Sequence, residues 1–167
     1  MDIKQVTQDI EHWIATFVEQ PHPALGGWPP CPYARAARLK KSYQVLLGND
    51  PLFDLQQRSR WGMYNWEVVI YVYDPQQWSA EVIEHNVAAA NQQWLNRQDM
   101  IALGDHPNAP EIVQGVSMNQ GTYALILVQC LSDLDHRAQA IAQRGFYQDW
   151  PEDYLQGLFA HRQDPRL

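Results

Sequence analysis

The run Trp28-Pro29-Pro30-Cys31-Pro32-Tyr33-Ala34 contains the pieces from which an activated thiol is made. If Pro32 takes the first position of a helix, where proline is favoured, Cys31 becomes the cap. Its sulfur then faces unpaired backbone N–H groups and the positive end of the helix dipole. Arg35 and Arg38, one and two turns on, add positive charge. All three factors favour thiolate over thiol and lower a pKa of about 8.5 towards neutrality. A nucleophilic, redox-active or metal-binding cysteine needs this geometry. The same residue also reads as a small hydrophobe that fills a hole beneath a Trp-bearing loop. No second cysteine lies nearby in the sequence, so the pattern is not a two-cysteine redox motif.

A second polar constellation is Gly104-Asp105-His106-Pro107-Asn108-Ala109-Pro110-Glu111, placed where a strand ends. Asp105, His106 and Glu111 have the chemistry of an acid–base pair or of metal ligands. Asp, Asn and Pro are equally ordinary turn residues. Glu81 and His85 share a helix face, but no metal-binding helix motif surrounds them. His12, His22 and His161 have no partner at a telling spacing. The cluster Arg35, Arg38, Lys40 and Lys41, with Arg58 and Arg60 further on, could receive a phosphate, a carboxylate or an acidic peptide. It also fits a solvated helix face. Trp28, Tyr33 and the tryptophans at element boundaries (Trp61, Trp78, Trp150) suit the wall of a pocket or interface.

The order of an N-terminal helix bearing Trp13, then Cys31-Pro32-Tyr33-Ala34, then a basic helix resembles an uncharacterised bacterial family of small α+β proteins. That family carries a Leu-Cys-Pro-Phe-Ala motif. Pro30 stands where the family has Leu, Gly26-Gly27-Trp28-Pro29-Pro30 is an insertion, and His106-Pro107 matches a later His-Pro pair. The similarity spans about a third of the chain. It points to Cys31 and implies no particular activity.

These residues need a scaffold, and 167 residues with 46% apolar content can supply a sizeable core in one domain, residues 1–167. The formal charge of −7 argues against general nucleic-acid binding, which relies on neutralising phosphates. No run reaches the ~18 apolar residues of a membrane helix. The acid-bearing N-terminus is unlike a secretory leader. Two cysteines a hundred residues apart fit the reducing cytosol. Apolar spacing predicts an amphipathic helix from Ile3 to near Glu19, capped by Asp2. Strands are expected at 43–48, 64–73, 100–104 and 122–130, and LFDLQQRSRWG is ambiguous. A long helix carries Ile83, Val87, Ala90 and Trp94 on one face. Two more helices follow, one capped by Ser132 and stopping at Gly145, the other starting at Trp150-Pro151.

The expected fold is α+β, a mainly antiparallel four-stranded, ferredoxin-like sheet packed with helices. A mixed doubly wound sheet is the alternative. Near-continuous apolar strands imply that both sheet faces are covered. The leading functional expectation is a small cytosolic binding or accessory domain, oligomeric or a partner subunit, that recognises an acidic peptide or small anion. Arg35, Arg38, Trp28, Tyr33 and Asp105 would form its surface. The alternative is a thiol-dependent enzyme with Cys31 as nucleophile or redox centre and His106 as base. No motif specifies a cofactor or a metal.

Overall fold

Val68–Tyr73 is apolar along its whole length, and five of its six residues are buried. Such a strand must lie inside a sheet covered on both faces. The computed structural model describes residues 1–160 and 162–166; His161 and Leu167 fall outside them. In it, α1 (Ile3–Trp13) precedes α2 (Ala34–Lys40), β1 (Tyr43–Leu47), α3 (Pro51–Trp61), β2 (Val68–Tyr73) and α4 (Ala80–Ala90). Then come β3 (Met100–Asp105), β4 (Ile112–Val113), β5 (Val116–Ser117), β6 (Ala124–Cys130), α5 (Leu131–Ala142) and α6 (Glu152–Phe159).

The main sheet has the order β1-β2-β6-β3. Both pairings of β6 are antiparallel, and β1 pairs parallel with β2. The α+β class holds, and the sheet is mixed. The step β2–α4–β3 encloses β6 in a split β-α-β, an element of the ferredoxin-like plan. The parallel β1–β2 pair departs from a purely antiparallel sheet. Both crossovers move the same way across the sheet, so a common hand puts α3 and α4 on one face. There Leu55, Ile83, Val87 and Ala90 pack on Val69, Tyr71, Ala102 and Ile126. On the other face Val6, Ile10 and Ile14 cover Ile70, Val72 and Leu125.

Local chemistry explains the element ends. Asp2 caps α1 by accepting the Lys4 N–H at 3.2 Å, and a π-turn carries the helix on through Val18. Asp50 caps α3 by accepting the Phe53 N–H at 2.9 Å, with Pro51 at the first helical position, so the ambiguous segment is an eleven-residue helix. The cap of α5 comes from outside it. Asp99 accepts the Ser132 N–H at 2.9 Å and the Ser132 hydroxyl at 2.6 Å, so Ser132 is itself held rather than capping. The helix ends at Ala142, and Gly145 takes φ 84° in the turn beyond. The strand expected from residue 64 begins at Val68, because Tyr64 sits at φ 51° in the preceding turn. The long loop after β3 contains the β4–β5 hairpin, closed by Gln114 and Gly115, both at positive φ.

A second core lies beyond the sheet. Ile141, Phe146, Tyr147, Leu155 and Phe159 pack together with Trp28, Tyr33 and Trp150. The boundary tryptophans Trp28 and Trp150 therefore serve this aromatic core. Trp28 meets Phe146 edge-on at 5.5 Å, and Phe146 lies 5.1 Å from Trp150. Among the described residues, no helix is long and apolar enough to cross a membrane.

Candidate functional site

Cys31 does not cap a helix. Pro32 and Tyr33 form a turn, and α2 begins at Ala34. The Cys31 carbonyl accepts the Ala34 N–H at 3.2 Å, and the Cys31 N–H donates to the Val18 carbonyl at 3.0 Å. The expected electrostatics are partly present. Backbone hydrogen bonds from Tyr33 and Ala34, and the charge of Arg137, favour the thiolate. Burial outweighs all three and pushes the thiol up, the opposite of the expected direction. The nearby cation is Arg137, which lies 5.2 Å over the Tyr33 ring and donates to Glu67 at 2.9 Å. Arg38 is engaged elsewhere, in a two-pronged pair with Glu19 at 2.8 Å for each contact. That pair holds the Glu19 carboxyl below the usual range. Arg35 is exposed.

Cys31 and Cys130 border one small cavity of about 40 Å³ with Tyr33, Glu67, Asp133 and Arg137. Both thiols are free. Strand alternation places Cys130 on the same face as Val128 and Ile126, the face that α3 and α4 cover. Its sulfur donates to the Asp99 carboxylate at 3.2 Å.

His106 lies at the other end of the sheet. Cys130 pairs with Met100, whereas Asp105 pairs with Leu125, five register positions along β3. At ~3.3 Å per residue that separates the two ends by about 17 Å. The structure therefore does not bring Cys31 and His106 together. His106 is also 3% exposed with both ring nitrogens occupied. Nε2 donates to the Trp78 carbonyl at 2.9 Å, and Nδ1 accepts the Asn108 N–H at 3.0 Å. With that tautomer, assigned from the partners, no lone pair is left for a base.

Asp105 accepts Asn119 Nδ2 at 2.7 Å and the Gln120 N–H at 2.9 Å. Asn119 also bonds the carbonyls of His106 and Ala109 and the N–H of Glu111. These bonds close the loop after β3. Burial pushes the carboxyls of both Asp105 and Glu111 up, and Tyr154 donates to Glu111 at 3.2 Å. Among the described residues, no three His, Cys, Asp or Glu side chains gather as metal ligands. Asp105 and His106 hold the loop in place, and Trp28 and Tyr33 belong to the second core.

A different site emerges between α3 and the tail of α4. Gln56, Ser59 and Arg60 share one face of α3 through their three- and four-residue spacing. Opposite them stand Gln93, Trp94, Arg97 and Gln98, from the π-turn Asn91–Leu95 and the 3-10 turn Asn96–Gln98. The groove has a volume of about 510 Å³. Its lining has two guanidiniums, three amides, a hydroxyl and an indole, and no carboxylate. Neither Arg60 nor Arg97 enters an ion pair among the described residues. The π-turn rests on Asn91, whose buried side chain hydrogen-bonds β3. Beneath α3, Arg58 is 3% exposed and donates to the Tyr71 hydroxyl at 3.0 Å and the Gly62 carbonyl at 3.1 Å. Of the basic residues noted on α3, Arg58 therefore braces the helix and Arg60 faces the groove.

Trp94 lies on the core stripe as expected, partly buried against the main core while it borders the groove; what sequence reasoning misses is the connection of Arg60 with Arg97. The available signal was Arg97 three residues after Trp94, with glutamine on either side of the pair. No family model, curated protein or solved structure compared with the chain matches it.

Proposed function

We propose that the protein is a binding module for a small organic anion, held in the groove between α3 and the tail of α4. One observation carries this reading: Arg60 and Arg97 converge beside Trp94 with no carboxylate in the lining, in a chain of net charge −7. Nineteen acids are spread over this chain, so their absence from the groove preserves its positive potential. Guanidinium forks match carboxylate or phosphate oxygens. The glutamines and Ser59 offer further donors, and the Trp94 ring offers a platform for a planar or apolar part of the ligand. A volume of about 510 Å³ suits a metabolite-sized molecule and is small for a folded partner.

Charge-assisted hydrogen bonds contribute about 1.5–3 kcal/mol each. Two of them in an open groove supply about 3–6 kcal/mol, which places the affinity between about millimolar and tens of micromolar. Cytosolic residence and an accessory role are part of the same proposal, and the two free thiols are compatible with a reducing compartment. The thiol-enzyme alternative has little geometric support, because desolvation pushes the half-buried Cys31 thiol up and both His106 ring nitrogens are occupied.

The test is calorimetric titration with a panel of mono- and dicarboxylates, nucleoside monophosphates and their uncharged analogues. Saturable binding of acids but not of the neutral analogues is expected, with its loss in Arg60→Ala/Arg97→Ala. Binding of none of the acids at millimolar concentration would refute the proposal, as would unchanged binding in the double variant.

A further inference from the structure

The two edges of the main sheet are finished differently. On β3, Ala102 turns its backbone outward, and the buried Asn91 side chain bonds both its N–H, at 2.8 Å, and its carbonyl, at 2.9 Å. Asn91 thus occupies the place of a further strand. On β1 the Ser42 carbonyl accepts the Val68 N–H, and the Gly48 N–H donates to the Val72 carbonyl. Parallel pairing with β2 therefore uses the backbones of Ser42, Gln44, Leu46 and Gly48 and turns those of Tyr43, Val45 and Leu47 outward. None of these three makes a backbone bond to any other element among the described residues. An open edge is normally protected by proline, charge or a covering segment. The stretch Tyr43–Leu47 contains neither proline nor charge, and among the described residues β2 is its only strand partner.

We propose that β1 is a dimerisation edge, where a second copy of this chain adds its own β1 antiparallel about a two-fold axis through Val45. The register follows from the outward groups. Centring on Val45 sets Tyr43 opposite Leu47 of the second copy, Val45 opposite Val45, and Leu47 opposite Tyr43. All three outward residues then exchange both of their hydrogen bonds, and no other antiparallel register engages all three. Their side chains emerge on the face covered by α1, where Tyr43 and Val45 already pack beside Ile70 and Val72. The aromatic and branched cross-strand pairs extend that core across the axis. Leu47, 39% exposed in the single chain, is covered by Tyr43 of the second copy.

The ends of the ladder are complementary in charge. Exposed Lys41, in the left-handed turn before β1, lies on the side of the second copy's Asp50, just beyond the end of its β1, and the symmetry repeats the approach. The sheet becomes eight-stranded, and its remaining edges are the two β3 strands, each held at Ala102 by Asn91. The groove between α3 and α4 takes no part, so this proposal stands or falls separately from anion binding.

Sedimentation velocity and amide hydrogen exchange on the wild-type chain test it together. The expected species has twice the 19.3 kDa chain mass, with slowed exchange at Tyr43, Val45 and Leu47. Leu47→Lys should yield a folded monomer in which these amides exchange freely. Lys41→Glu should weaken the dimer about tenfold through two lost attractions. A monomer at tens of micromolar overturns the proposal. So does a dimer whose three amides exchange as fast as an exposed loop, since it must use another surface. The exchange measurement needs no variant, so it decides the question even if Leu47→Lys fails to fold.

Discussion

Replacing Asn91 with Ala tests how the fold closes its β3 edge. Asn91 is 6% exposed, and its amide bonds both the N–H and the carbonyl of Ala102, which is itself fully buried. Truncation leaves both backbone groups without a partner. An orphaned buried polar group costs about 1–3 kcal/mol. Two such groups at an edge, where the opened space can admit some water, give a loss of about 2–4 kcal/mol. Native stabilities are about 5–15 kcal/mol, so this is a large share of the total. For a chain of this length each kcal/mol lowers the melting temperature by about 2–4 °C, and a fall of about 5–15 °C is expected. Urea unfolding followed by circular dichroism measures the free energy, and hydrogen exchange reads the Ala102 amide directly. Asn91→Leu separates hydrogen bonding from packing, because leucine fills similar space without offering a donor or acceptor. It should be destabilised almost as much as the alanine variant. If Asn91→Leu matches wild type, or if Asn91→Ala loses less than about 0.5 kcal/mol, the two hydrogen bonds do not hold the edge and the reasoning fails.

Two further outcomes follow from close contacts. Gly48→Ala would put a Cβ 2.0 Å from the ring of Tyr73, which is 1% exposed and tied through its hydroxyl to Asp54. The ring cannot swing away cheaply, so a loss of at least about 3 kcal/mol in urea unfolding is expected, and a neutral variant would contradict this packing. Burial raises the Cys31 pKa, so less of its thiol is ionised at any pH near neutrality than in a free cysteine. Iodoacetamide should therefore alkylate Cys31 in the native protein more slowly than free cysteine across pH 7–9, and at the free-thiol rate once urea unfolds the chain. Faster labelling at pH 7 would restore the case for a reactive thiol.

Much of the scaffold was legible because it depends on local patterns. The apolar run at Val68–Tyr73 and the one at Ala124–Cys130 declare strands buried on both faces. The spacing of Val6, Ile10 and Ile14 declares the helix that covers one of those faces, and Asp2 marks its start. The strand order was not legible, since inserting β6 between β2 and β3 depends on contacts between distant segments. The segment Pro51–Trp61 was obscure for a physical reason: one of its inward positions is Arg58, a charge that interrupts the apolar stripe. That charge is tolerable only because the Tyr71 hydroxyl and Gly62 carbonyl meet it, and neither partner can be paired with it from spacing alone.

The same limit explains why the candidate site moved. At Cys31 the donors expected of a cap are present, yet desolvation of the half-buried sulfur outweighs them. Burial of that kind is a property of packing, and Trp28, three residues before Cys31, is held in the aromatic second core. The α3–α4 groove, by contrast, consists of residues that each look unremarkable: an arginine near the end of a helix, glutamines, and a tryptophan on a core stripe. Only the π-turn after Ala90 changes their meaning. Five residues of wider helix shift the phase, so that Leu95 turns inward while Gln93, Trp94 and Arg97 border the space facing Gln56 and Arg60. Asn91 opens that turn and is stitched to β3 through both of its amide atoms. One buried amide therefore bears on both proposals, because it occupies the outward backbone of Ala102 in the middle of β3, a partner that the outward groups of β1 lack among the described residues, and anchors the turn that sets Arg97 across from Arg60.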